Sequence, residues 1–187
     1  MVKLFNDTFN INEIIDSNST EVLLENEFTI ADDWPDIEKI VTTEGKAKIN
    51  NVTAATNSVT VDGKLIYNII YRSNSEDCAI HSITGEIPFR EEIGAEGATE
   101  NMEAFANAFI DYLDAEQLSE RSYLVKAVLA LDTDIYMKRP VTYVTGLDSD
   151  GSIQARTKNI AYTDTVAEIS EEVNINDAVE LSKGSGE

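Results

Sequence analysis

A single cysteine and a single histidine stand in 187 residues. One cysteine excludes an internal disulfide framework and any multi-cysteine metal site. Cys78 and His81 lie three apart, which on a strand puts them on opposite faces, so they are not expected to work as a catalytic pair. The reading left for Cys78 is an inert half-buried thiol, with a cross-link between neighbouring chains as the alternative. Basic residues are also scarce: 14 Lys and Arg face 35 Asp and Glu, a formal charge of −21. Such a surface repels phosphate and anionic lipid, which argues against nucleic-acid or membrane-surface binding. It keeps the chain soluble and opposes self-association until salt or cations screen it. No apolar run reaches the roughly 18 residues that a membrane-spanning helix needs, and MVKLFNDTFNINEII lacks the charged-then-apolar order of a signal peptide. Synthesis and retention in a cytoplasm follow, and the NST and NVT triplets at 18–20 and 51–53 carry no weight without a secretory signal.

What the chain does hold is alternation. Val22, Leu24, Phe28 and Ile30 share one face of a strand, and ADDWPDIEKI follows at 31–40. Asp33 suits a helix N-cap, Pro35 a first turn, and Ile37 and Ile40 one side of that turn. This predicts one short helical turn after the first core strand, pinned by Ile37, Ile40 and a Trp34 that packs in or against the core. Strands are predicted over 46–55, 59–71 with Gly63 marking a bulge, 78–89, 121–137, 140–147, 152–162 as a hairpin return through Asp150-Gly151, and 167–175. The two apolar faces of 121–137 suggest a strand covered on both sides. Residues 101–118 fit a helical stripe (Met102, Phe105, Phe109, Tyr112) and also alternate, and composition alone favours helix. Residues 1–20, with Phe5, Phe9, Ile11, Ile14 and Ile15 spaced through a polar stretch, suit an arm or a short helix, which either docks on an adjacent subunit or folds back on its own domain. The resulting division is an arm at 1–20, a β domain at 21–182 and a tail at 183–187. LENEFTI (24–30) and ISEEVNI (169–175) share a pattern, a faint internal repeat.

The chemistry-bearing residues give no constellation. GLDSDGS at 146–152 offers Asp148 and Asp150 but lacks the further ligands and closing Glu of a calcium loop. Asp132 and Asp134 share a strand face, where a solvated strand end is the plainer reading than a cation site. GAEG at 94–97 lacks the lysine and spacing of a phosphate loop, and there is no G-x-S-x-G elbow. Tyr67, Tyr71, Tyr123, Tyr136 and Tyr143 lie in strands without the basic neighbours of a base-stacking platform. No catalytic, cofactor-binding or metal-binding residue is therefore assigned, and no cofactor is expected.

Four stretches carry a family resemblance. They are WPDIEKIV followed by KAKINNV, VTVDGKLIYNIIYRS with its V-x-G-x-L core, IHSITGEIPFREEI with its E-x-P-F end, and SERSYLVKAVLAL. Together they resemble the SPOCS (spore-coat-associated) domain family, over roughly residues 21–175. The most specific pieces are Pro35-Asp36-Ile37, Gly85 to Phe89 and Lys126-Ala127-Val128. The resemblance implies a strand at 102–113, against the local helical stripe, with a helical turn at 114–119 left open. It further implies a mainly β, antiparallel sandwich-like fold and a non-enzymatic role in spore morphogenesis. The LysM module found in a clostridial member is not seen here, so its contacts are not carried over. Two functions are expected on this basis. One is a structural protein of the endospore envelope, coat or exosporium, made in the mother cell and assembling with itself and with other coat proteins through β-edges or the terminal arm. The other is a soluble coat-associated module that recognises a partner protein or carbohydrate.

Overall fold

A computed structural model describes residues 2–74, 79–151, 153–159 and 161. The chain divides into two units, Met1–Ser152 and Ile153–Glu187. In the second, the described residues form neither strand nor helix. The first holds six strands: β1 Val2–Thr29, β2 Ile37–Ala55, β3 Ser58–Ser73, β4 Ile80–Gly94, β5 Glu103–Gln117 and β6 Ser122–Ser149. All pairings are antiparallel, in two three-stranded sheets ordered β1-β6-β5 and β2-β3-β4.

Strict alternation builds the shared core. Val59, Val61, Leu65, Tyr67, Ile69 and Tyr71 of β3 are buried, as are Tyr123, Val125, Ala127, Leu129 and Leu131 of β6. These two central strands turn their apolar rows toward each other, and the buried residues of both sheets merge into one cluster. The other face of β6 is half-buried, so cover on that side is partial. Tyr67 and Tyr123 join the sheets directly: their hydroxyls lie 3.2 Å apart, and the Phe28 ring sits 5.6 Å from each of theirs. At one margin β2 lies beside β5, where Gln117 Nε2 donates to Ile37 O at 2.9 Å.

Two of the family-like motifs explain each other here. Gly63 of V-x-G-x-L pairs with Phe89 of G-E-I-P-F, and Gly85 of the latter pairs with Tyr67. A Cβ on Gly63 would collide with the Phe89 ring, and one on Gly85 with the Tyr67 ring. Each glycine is the floor on which an aromatic from the opposite strand lies, which sets the β3–β4 register twice over. The bulge expected at Gly63 falls instead on its partner strand, between Ile49 and Asn51.

Several expectations are corrected. No helical turn follows the first core strand: Trp34 N–H donates to Ala31 O at 3.0 Å, a β-turn, and β2 has begun by Ile37. The helical stripe at 101–118 gives way to β5, as the family resemblance implied, because pairing with β6 outweighs local propensity; residues 114–117 extend that strand without a helical turn. The segments 121–137 and 140–147 are one strand. Of the hairpin return expected over 152–162, the described residues 153–159 and 161 are not in strands. The partner of 140–147 comes from the other end of the chain: Phe9 pairs with Val141 and Leu4 with Leu147. Residues 2–20 are thus the first part of β1, folded back on β6 of their own chain as one of the two readings has it, and not a helix. The expected strand at 167–175 and the tail at 183–187 lie outside the described residues.

Two measurements check this core. Gly85→Ala is expected to lower unfolding free energy by about 2 kcal/mol, because the methyl displaces the Tyr67 ring, and equilibrium denaturation reads it. Burial raises the Tyr67, Tyr71 and Tyr123 phenols above their ordinary value of 10.0. A raised folded-state value favours the neutral form, so this stabilisation is complete below about pH 10 and is lost as pH climbs beyond it. Spectrophotometric titration should therefore show these three tyrosines ionising only together with unfolding.

Candidate functional site

The turn between β1 and β2 is the most elaborately held surface feature. Its residues, Ile30 to Asp36, carry carbonyls that no strand neighbour can satisfy. Arg121, in the loop between β5 and β6, supplies the donors. Its Nη2 reaches Ala31 O at 2.7 Å and Ile30 O at 3.3 Å, and its Nη1 reaches Asp36 Oδ1 at 2.7 Å and Trp34 O at 3.2 Å. The backbone of the same loop completes the clamp: Ile30 N–H donates to Arg121 O at 2.9 Å and Ile37 N–H to Glu120 O at 2.7 Å. From the other sheet, Tyr71 Oη donates to Pro35 O at 3.0 Å. A guanidinium with five donors in fixed forks suits this many acceptors, where a lysine ammonium does not.

Trp34 rides on this clamped turn and is 38% exposed. This corrects the expected burial: Ile30 and Ile37 at the two ends enter the core, and the turn is held by hydrogen bonds and not by the indole. The signal for Arg121 was present in SERSYLVKAV, but nothing local in that stretch says that its guanidinium reaches back some 85 residues to Asp36.

The other residues weighed from sequence are dispersed. His81 is half-buried with its ring 5.5 Å from Tyr71, and Cys78 lies outside the described residues. Asp134 accepts from Ser17 Oγ at 2.6 Å, and Asp132 beside it on the face is exposed. Asp148 and Asp150 are exposed near the end of β6. Tyr67, Tyr71 and Tyr123 are core residues and form no surface platform. An open notch of about 630 Å³ is lined by Asp16, Asn18, Asn57 and Glu96. The Asp16 carboxylate is engaged: its Oδ2 accepts from Asn18 Nδ2 and from Glu96 N–H, each at 2.9 Å. Among the described residues no three His, Cys, Asp or Glu side chains are grouped to hold a metal ion. Nor does any described helix have the length and apolarity to cross a membrane.

The paired glycine–aromatic contacts and the strands that carry them lie within one segment, which the clamped turn borders. Residues 36–118 match the family model SipL, SPOCS domain. The SPOCS match begins at Asp36, the carboxylate that Arg121 holds, and ends just beyond β5, so it takes in the whole β2-β3-β4 sheet. It bears out the resemblance read from WPDIEKIV, V-x-G-x-L and G-E-I-P-F; Lys126-Ala127-Val128 lies beyond it. The match points to a role connected with sporulation. No curated protein and no solved structure matches the chain.

Two substitutions separate the parts of this turn. Arg121→Ala should cost about 2 kcal/mol in denaturant unfolding, since it strips donors from three carbonyls and a carboxylate. Trp34→Ala should change stability by less than about 1 kcal/mol, as for other surface positions.

Proposed function

We propose that this protein is a non-enzymatic structural component of the bacterial endospore envelope, coat or exosporium, that assembles with copies of itself into an ordered polymer. The SPOCS match supports the sporulation context. The observation that carries self-assembly is the distribution of exposed apolar side chains. Eleven of the sixteen large exposed hydrophobic residues among those described belong to the β1-β6-β5 sheet. On the face turned away from the core, Leu23, Val128 and Tyr112 stand in register across its three strands, with Phe109 and Ala130 in the adjacent row. Leu23 is 70% exposed and Phe109 54%. Contiguous apolar surface of this kind on a strongly charged protein marks a contact face. The mother-cell cytoplasm is the proposed place of synthesis, and the spore surface the destination.

The exposed indole of Trp34 on a rigid turn favours a second reading, a coat-associated module that binds a partner protein or carbohydrate. Electron microscopy of the purified chain at low and raised ionic strength decides between them. Filaments, tubes or sheets that form more readily as salt screens the like-charged subunits are expected. Dispersed monomers under all conditions would overturn the assembly reading, and retention of those monomers on immobilised coat protein or glycan would support the second.

A further inference from the structure

Beyond the end of β5 the β1-β6-β5 sheet narrows to a ribbon. Glu103 pairs with Tyr136, and from Met137 to Ser149 β6 has β1 alone beside it among the described strands. A two-stranded ribbon is marginal in water unless a further strand or surface joins it. This one also differs electrically from the rest of the molecule. Residues 2–13 and 137–149 hold Lys3, Lys138 and Arg139 against Asp7, Glu13 and Asp148, so the ribbon is neutral and the whole −21 resides elsewhere. Its exposed apolar side chains include Val2, Leu4, Phe5, Val144 and Leu147. Like-charged copies of this chain meet the least repulsion here.

The ribbon has two margins. That of β6 carries Lys138, Arg139 and Pro140 in succession, and lysine and proline are residues that discourage strand addition. The margin of β1 is regular over Asn6–Ile14 and continues in strand to Val2. Within it the Thr8 N–H donates to Asp7 Oδ1 at 2.8 Å, which turns the backbone of Thr8 away from β6, to the side where no described strand lies. We infer that β1 of one copy pairs antiparallel with β1 of a second copy, centred on Thr8, to make a continuous β6-β1-β1-β6 sheet. This rests on the self-assembly reading and names one of its contacts, since a two-fold pair closes at two copies and a polymer needs a second contact.

The register follows from the side chains. Centring on Thr8 sets Lys3 opposite Glu13 twice, Phe5 opposite Ile11 and Val2 opposite Ile14. Centring on Asp7 instead opposes two carboxylates, and centring on Phe9 sets Phe5 against Glu13 and leaves Lys3 opposite Ile15. Opposite charges across an antiparallel pair stabilise it and like charges weaken it. On dimerisation Thr8 N–H exchanges Asp7 for the carbonyl of the partner's Thr8, so no donor is left unpaired.

The test uses the full chain with Cys78→Ser and Thr8→Cys. A hydrogen-bonded antiparallel pair places its Cα atoms about 5.5 Å apart, within disulfide reach. Mild oxidation should give a covalent dimer. Lys3→Glu or Glu13→Lys should each lower its yield at limiting concentration about tenfold, and the two together should restore it. Circular dichroism confirms that each variant is folded. Absence of the dimer, or a yield indifferent to the single charge reversals, overturns the inference. If the unaltered chain still polymerises in that case, the assembly reading survives and another surface carries it; if it stays monomeric, both readings fall.

Discussion

Tyr67 is held from two directions, and most of the fold depends on that. Its ring lies over Gly85 in its own sheet, and its hydroxyl meets Tyr123 in the other, with Phe28 stacked against Tyr123. The first contact fixes which residue of β4 stands beside which residue of β3, because any slip moves a side chain under the ring. The second fixes how the two sheets face each other. A phenol hydrogen bond adds about 1 kcal/mol, whereas burying the ring and its neighbours contributes several times that. The hydroxyl pair therefore selects the arrangement more than it powers it. With the sheets so placed, the β1–β2 connection falls beside the Arg121 loop, and the SPOCS segment supplies one whole sheet together with β5 of the other, which β1 and β6 complete.

The central strands were legible because each of their faces repeats every second residue: Val59 to Tyr71 and Tyr123 to Leu131 appear in the core as the alternation says. The sandwich-like class and the identity of the family motifs followed from the same rows. Local pattern failed where a distant segment supplied the partner. Residues 140–147 look like the first half of a hairpin, yet their partner is the N-terminus, more than 130 residues away, and no short-range signal records that. Residues 101–118 carry alanines and a helical stripe, yet β6 recruits them as a strand. ADDWPDIEKI resembles a helix start because Asp and Pro serve turns as well as caps; Arg121 decides between them by collecting the carbonyls. Trp34 was expected in or against the core, but Ile30 and Ile37 already fill the two core positions at the ends of that turn.

Charge and hydrophobicity divide the surface in a way that composition conceals. A net charge of −21 reads as a protein that avoids its neighbours. The β1–β6 ribbon carries none of that net charge, and the sheet it belongs to carries most of the exposed apolar side chains described. Repulsion over the rest of the molecule then restricts association to few orientations, which is what an ordered polymer requires, and salt tunes how readily it occurs.

The central claim is that copies of this chain join along the β1 edge. Amide hydrogen exchange, compared between dilute and concentrated protein, tests it at the backbone itself. Slowed exchange on assembly at Leu4, Asn6, Thr8, Asn10 and Asn12, with the buried Tyr67 row slow in both samples, is the predicted result. Equal exchange at those five positions in assembled and dilute protein would contradict it.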